Sequence, residues 1–314
     1  MIHLTHDRPL PEALRASILA LGNFDGFHLG HQAVVSRAIA LGFHLRRPVI
    51  VATFDPHPVR FFKPDVPPFR LTSLDQRERL FAHAGADAML VFRFDAELAS
   101  MDADAFVAEM LAKRLGVAGV VTGDDFSFGK GRTGDVGLLR TLGEQHGVRA
   151  EAVAQVIIDG ERVSSGRIRE ALAAGDPGTA THLLTRPFAV EAAVERGDGR
   201  GHALGFPTAN VSLGRYQRPA YGIYAVRVRL DANEKDGGSE HSGVASFGVR
   251  PMFEEGEEFL ETFIFDWDGD LYGRTIETAL VAYIRPEAKF DSVEALVARM
   301  REDEAEARRL LALP

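Results

Sequence analysis

The chain has 314 residues, a formal net charge of −9, 46% hydrophobic and 26% charged residues, and no cysteine. Its length suits two domains of ordinary size, its composition excludes a disordered or fibrous protein, and the missing thiols exclude disulfides, thiolate zinc sites and cysteine nucleophiles. The acidic balance argues against a nucleic-acid partner, which needs a basic surface, but leaves room for small phosphate ligands in a local pocket. Apolar runs such as residues 49–54 fall far short of the ~20 residues of a membrane span. Polar residues open the chain where a signal peptide needs an apolar core. The expectation is a cytoplasmic protein with no membrane partner; its oligomeric state is not legible.

The first half alternates strand and helix. SILALGNF (17–24) reads as a strand, LGHQAVVSRAIALGF (29–43) as a helix and PVIVATF (48–54) as a second strand. LTSLDQRERLFAHAG (71–85) follows as a helix, with Ser73 and Gln76 spaced as a capping box. DAMLVFRF (87–94), DADAFVAEMLAKRLG (102–116) and AGVVTG (118–123) continue as strand, helix and strand. Nearly all-apolar strands between amphipathic helices indicate a parallel sheet covered on both faces, with ligands at the carboxyl ends of its strands. The pattern changes near Thr185, and a boundary is expected within 180–188. GIYAVRVRL (222–230) alternates strictly, with Tyr224, Val226, Val228 and Leu230 on one face and Arg227 and Arg229 on the other. A polar loop (231–243) joins it to GVASFG, and FLETFIFDW (259–267) and TIETALVAYI (275–284) add strands. The tail is helical, with Val293, Leu296, Val297 and Met300 on one side.

Four segments carry candidate chemistry. Residues 21–31, LGNFDGFHLGH, lie where a strand turns into a helix; Gly22, Gly26 and Gly30 permit close backbone approach. His28 and His31 share one side of the first helical turn, where backbone N–H groups favour an anion. The spacing is neither G-x-G-x-x-G nor Walker A, and taken alone the pair also suits a glycine-rich turn with two surface histidines. In SSGRIREAL (164–172), Ser164 or Ser165 can cap a helix and place Arg167 and Arg169 in its first turn, against the dipole unless an anion neutralises them. Pro207-Thr-Ala-Asn210, after a glycine-rich stretch, points Thr208 and Asn210 the same way in an extended segment. Their oxygens are hard ligands that suit Mg²⁺ completed by ATP phosphates and water, though taken alone the tetrapeptide equally suits an ordinary loop. Glu261 alternates with Phe263 and Phe265, and a carboxylate on such a face is costly without a partner or a task. Asp266, Asp268 and Asp270 read as solvated turn residues.

GNFDGFHLGH resembles the HxGH-type signature of the nucleotidyltransferase superfamily, in the form found in the adenylyltransferase half of the bacterial bifunctional riboflavin kinase/FAD synthetase family. TFDPHP (53–58), GDDFSFGKGRTG (123–134) and SSGRIREAL occur in the family's order. GHALGFPTAN (201–210), GIYAV (222–226), ETFIFDWDGDLYG (261–273) and RPEAKFDS (285–292) extend the resemblance into the kinase half.

The resemblance implies a Rossmann-like α/β nucleotidyltransferase domain (1–182) followed by a small antiparallel β-barrel, riboflavin kinase-like domain with a C-terminal helix (183–314). It implies riboflavin, FMN and ATP as substrates, with Mg²⁺ accompanying ATP. His28, His31 and Arg169 are expected to assist adenylyl transfer, and Glu261 to act as the kinase base. Nucleotide or flavin binding is expected of Gly22, Asn23, Phe24, Asp25, Asp125, Ser164, Ser165, Gly205, Thr208 and Asn210, with Thr208 and Asn210 as metal ligands. Phe126 and Phe128 are either flavin contacts or core. Four positions depart from residues common in the family: Ser127, Gly166, His202 and Ser246. None is a presumed base or metal ligand, so the departures bear on substrate affinity. The rival readings are another transferase of the same fold and a non-catalytic flavin-binding regulator.

Overall fold

The computed structural model describes residues 1–196, 204–231, 238–249 and 258–312. The polar loop 232–237, the glycine-rich run 197–203 and its His202 lie outside the described residues. The chain divides into two compact units, residues 1–67 with 74–164, and residues 68–73 with 165–314.

The first unit is built on a six-stranded sheet in the order β1-β4-β3-β2-β5-β6. The strands are β1 Ile2–Thr5, β2 Ile18–Leu21, β3 Val49–Asp55, β4 Ala88–Arg93, β5 Gly119–Gly123 and β6 Arg149–Val153, and every pairing is parallel. Its helices are α1 Leu29–Leu45, α2 Pro58–Phe62, α3 Leu74–His83, α4 Ala96–Ser100, α5 Ala103–Ala105, which passes into a wider π-helical stretch Phe106–Leu115, and α6 Val136–His146. Alternate strand residues serve opposite faces. Leu19, Leu21, Ile50, Leu90, Phe92 and Val120 pack against the Phe106–Leu115 stretch and α6. Ile18, Ala20, Val51, Met89 and Val121 pack against Val34, Val35 and Ala38 of α1 and Phe81 of α3. Each large apolar side chain so buried contributes about 1.5–3 kcal/mol, which explains the near-continuous apolar strands. β2 is central, with β3 and β4 to one side and β5 and β6 to the other. The connections therefore reverse direction between β2 and β5, where such sheets open a crevice at their carboxyl edge. A short hairpin, β7 Ile157–Ile158 and β8 Glu161–Arg162, follows.

The second unit begins with α7 Ser165–Ala173 and α8 Pro177–Leu184. Ala180, Leu183 and Leu184 are buried where α8 packs on the sheet, so residues 165–182 pack with this unit. The family-based division at 182/183 thus falls within a helix of the second unit. Its strands are β9 Phe188–Ala193, β10 Thr208–Ser212, β11 Gly222–Leu230, β12 Glu240–Val249, β13 Glu258–Ile264 and β14 Thr275–Arg285, antiparallel in the order β10-β13-β12-β11-β14-β9. The two edges meet at a bridge in which the Glu195 N–H donates to the Asn210 carbonyl at 2.8 Å, curling the sheet into a barrel. Tyr224, Val226, Val228 and Leu230 are buried while Arg227 and Arg229 stay partly exposed, as the alternation predicted.

The C-terminal helix, α9 Val293–Leu311, lies on the outer face over Ala225, Val244, Phe263, Phe265 and Ala282. Its most buried apolar contacts come from the second half, Ala307 and Leu311; of the expected apolar face, Leu296, Val297 and Met300 are partly buried and Val293 alone is exposed. Asp303, buried on this helix, accepts from Arg285 of β14 at 2.6 and 2.8 Å. Asp266 is an exposed turn residue, as expected, and both its carboxylate oxygens accept from Arg308, at 2.7 and 3.0 Å.

Candidate functional site

The turn between β2 and α1 occupies the carboxyl edge of the parallel sheet beside its switch point. Phe24 and Phe27 have φ of 49° and 46°, with Gly26 at 89° between them. These left-handed residues send the chain back so that His28 becomes the N-cap of α1, its Nδ1 accepting the N–H of His31 at 3.4 Å. The two imidazoles stack, with centroids 3.6 Å apart and planes 17° from parallel. A Cβ at Gly30 would stand 3.2 Å from the His28 ring, so glycine lets that ring lie flat. With Nδ1 accepting, the proton of a neutral His28 belongs on Nε2, which is then a donor.

Beneath the turn lies a polar network. Asp25, 2% exposed, and Arg77, 1% exposed, form an ion pair at 3.1 Å. Arg77 also donates to the Asn23 carbonyl at 3.2 Å and to Thr53 Oγ1 at 2.9 Å, while the Thr53 hydroxyl donates to the same carbonyl at 2.7 Å. Asn23 Oδ1 is buried without a hydrogen-bond partner among the described residues, the condition a ligand donor relieves. The Phe24 ring is buried against Phe81 and the edge of His31, so Phe24 presents backbone to the crevice. Sequence reasoning missed Arg77. Its signal was its position four residues before Phe81 on the buried face of α3.

Across the switch point, residues 123–126 turn at the end of β5, with the Phe126 N–H donating to the Gly123 carbonyl at 3.2 Å. Asp125 is half-exposed and pairs with Arg162 of β8. Ser127 accepts from Arg132 at 2.8 Å. Phe128 is buried, lying against Phe126 and Phe106, so it belongs to the core. Ser164 closes the first unit, and Ser165 opens α7 in the second. With the helix starting there, Arg167 falls in the first turn and Arg169 begins the next. Arg169 Nε donates to the Phe69 carbonyl at 2.7 Å, and its guanidinium lies 5.1 Å from the Phe69 ring centroid.

In the barrel, β10, β13 and β12 bring three candidate positions into one cross-strand row: Asn210 opposite Glu261, and Glu261 opposite Ser246. Residues directly opposite have Cβ atoms about 4.5–5.5 Å apart, so the PTAN and ETF segments lie side by side. Asn210 is 4% exposed, and its Nδ2 donates to the Thr208 carbonyl at 3.4 Å. Gly205 has φ of 83° with open space where a Cβ would stand, a conformation that favours glycine.

A second carboxylate, which sequence reasoning did not single out, enters from the segment after β14. A Cβ at Gly248 would lie 1.9 Å from Glu287 Oε1, so the carboxyl rests directly on β12. Burial pushes the Glu287 pKa up, Arg285 opposes and the charge of Glu261 adds to the rise. At the start of β13, the Glu258 carboxylate accepts from Tyr221 at 2.6 Å and from Arg218 at 2.5 Å. Among the described residues no group of three or more His, Asp or Glu is placed to hold a metal ion. Thr208 and Asn210 bring only neutral oxygens, a donor set that fits a cation held chiefly by phosphates and water.

The FAD synthetase family model matches residues 10–167, and the riboflavin kinase family model matches residues 184–311. A bifunctional riboflavin kinase/FMN adenylyltransferase from Escherichia coli K12 is 40% identical over 94% of this chain and 93% of its own. The chain belongs to the bifunctional riboflavin kinase/FMN adenylyltransferase family. A member from Pseudomonas fluorescens is likewise 40% identical, over 95% of this chain and 94% of its own. A crystal structure described as a macrolide-efflux protein from Streptococcus pneumoniae superposes with a TM-score of 0.86 at 29% identity, covering 98% of this chain and 99% of that one. Among the described residues no helix is long and apolar enough to cross a membrane. In the family's terms, the histidine stack lies within the FAD synthetase match and the Asn210–Glu261 row within the riboflavin kinase match.

Proposed function

We propose that the chain phosphorylates riboflavin to FMN with Mg–ATP and then joins AMP from a second ATP to FMN, giving FAD and pyrophosphate. The functional division we assign is 1–182 for adenylyl transfer and 183–314 for phosphorylation. One observation carries this reading: each unit holds its own phosphate-handling set, the His28–His31 stack at a helix N-terminus in one and the Asn210–Glu261 row in the other.

In the kinase step the ribityl 5′-hydroxyl attacks the γ-phosphorus of ATP. The hydroxyl must lose a proton as its oxygen bonds to phosphorus and ADP leaves. Glu261 accepts that proton, the task that accounts for a carboxylate on an otherwise aromatic strand face. Thr208 and Asn210 would hold Mg²⁺ together with ATP, and the ion, when bound, supplies neutralisation of phosphate charge. Gly205 allows backbone to approach the nucleotide.

In the second step an oxygen of the FMN phosphate attacks the α-phosphorus of ATP, and the bond to the β-phosphate oxygen breaks. The nucleophile is already anionic, so no protein base is needed. The residues position the reactants and neutralise charge. His28 and His31 donate to phosphate oxygens, Arg169 neutralises triphosphate charge, and Gly22, Asn23, Phe24, Asp25, Asp125, Ser164 and Ser165 bind nucleotide or flavin. The acidic chain acts in the cytoplasm on small molecules, without nucleic acid or membrane. A cytidylyltransferase or other relative of the first unit alone has no use for the Asn210–Glu261 row. Incubating the purified protein with riboflavin and Mg–ATP should yield FMN and then FAD by chromatography; absence of both products would refute the reading.

A further inference from the structure

We propose that Arg77 is a positioning residue for adenylyl transfer: its guanidinium holds the turn after β2 in the conformation that stacks His28 on His31. The inference rests on the assignment of those histidines to that step.

The turn needs to be held. Phe24 and Phe27 both adopt left-handed backbone, a conformation that persists in bulky residues only where surroundings over-determine it. Arg77 supplies that constraint from α3, across the crevice edge from the turn. Its fork reaches the Asn23 carbonyl just past β2, the Asp25 carboxylate within the turn and the Thr53 hydroxyl on β3. Thr53 relays a second donor to the same Asn23 carbonyl. The chain is thus pinned on both sides of Phe24, four residues before the N-cap histidine. Above the pinned stretch, the Phe24 ring meets the His31 ring at 5.3 Å and Phe81 at 5.8 Å. Phe81 lies one turn after Arg77 on α3. One helix therefore sets both the backbone of the turn and the aromatic floor under the stack. A buried ion pair adds little stability over apolar residues of equal volume, so its consequence here is the geometry it imposes.

The test compares Arg77→Met, Arg77→Lys and Thr53→Val in the full-length protein, assaying FAD formation from FMN, riboflavin phosphorylation and imidazole NMR signals. Misplacing catalytic groups by an ångström costs about 10²-fold, so Arg77→Met should lose FAD formation on that scale in kcat with KM for ATP little changed. Riboflavin phosphorylation should be unaffected, and the His28 and His31 signals should lose their mutual ring-current shift. Arg77→Lys keeps the cation beside Asp25 and should restore much of the rate. If Arg77→Met fails to fold, Thr53→Val carries the test, since it removes the relay without stranding a charge; a smaller loss with the same signal changes is expected. FAD formation within twofold of wild type in a folded Arg77→Met or Thr53→Val protein, or unmoved histidine signals, overturns the proposal. A wild-type protein that makes no FAD from FMN would instead overturn the assignment of the histidines, and the NMR signals would still report on Arg77.

Discussion

His31→Ala leaves the barrel untouched and removes one donor from the helix N-terminus. Deleting one preorganised donor typically costs about 10²–10³-fold in rate, so FAD formation from FMN should fall on that scale while riboflavin phosphorylation stays near wild type, read by separating flavins after incubation with each substrate. Tyr221 gives a prediction in pH. Its hydrogen bond to the Glu258 carboxylate, with burial adding, pushes the phenol up to about 12. A folded value above the unfolded one, about 10, favours the neutral phenol in the native state. The stabilisation is therefore complete below pH 10 and is lost as pH rises from about 10 to 12. Tyr221→Phe should flatten the alkaline fall in stability in that window, measured by urea unfolding at a series of pH values; an unchanged slope would contradict the assignment. The histidine pair was legible because glycines and a strand-to-helix transition flank it. Glu287 and Arg77 were not, because their significance depends on partners far along the chain: Gly248 and Glu261 for one, Asp25 and Thr53 for the other.

At the level of elements, the inner strands and the helices α1, α3, Phe106–Leu115 and α9 could be read because burial on both faces, or on one, leaves a periodic apolar signal; α6 was not read. Among the strands that escaped reading are β1, β6 and β9, besides the two-residue strands β7 and β8. β1 has four residues, mostly exposed, at a sheet edge, and β6 is partly exposed at the opposite edge, so neither carries a strong pattern. β9 is an edge strand whose pairing with β14 is set by register rather than by its own composition. The exposure of Val293 has a related cause: α9 is fastened at its middle and end by Arg285–Asp303 and Arg308–Asp266, so the apolar stripe of its first turn is not needed. Removing one member of a buried pair costs about 3–5 kcal/mol, because the other charge is left uncompensated. Asp303→Ala should lower the melting transition of the barrel unit and release α9, followed by calorimetry. Asp303→Ala melting within a degree of wild type would show that the pair does not fasten the helix. The Asp303 carboxylate also anchors Arg285, which donates to the Pro286 carbonyl at 2.8 Å beside Glu287, so riboflavin phosphorylation should decline before FMN adenylylation does.

Over the whole molecule, the two units and their order follow from the change from βα alternation to period-two strands, and the packing of the chain divides at 164/165. Residues 165–182 form α7 and most of α8, and buried Ala180 of α8 packs with the barrel unit. A fragment of residues 165–314 should therefore be more stable than one of residues 183–314, which loses α7 and most of α8 and uncovers the surface they bury. Both lack residues 68–73, so the comparison isolates the helices. Either fragment, when folded, should make FMN and no FAD. The central claim is that two separate sites perform consecutive steps, only the first of which needs a protein base. The direct measurement feeds riboflavin or FMN, with Mg–ATP, to full-length Glu261→Gln and follows both flavins by chromatography. General-base catalysis typically supplies about 10²–10⁴-fold, so riboflavin phosphorylation should fall by that factor while FAD formation from added FMN proceeds at the wild-type rate. Near-wild-type phosphorylation of riboflavin, or loss of both steps together in a folded protein, would contradict the account.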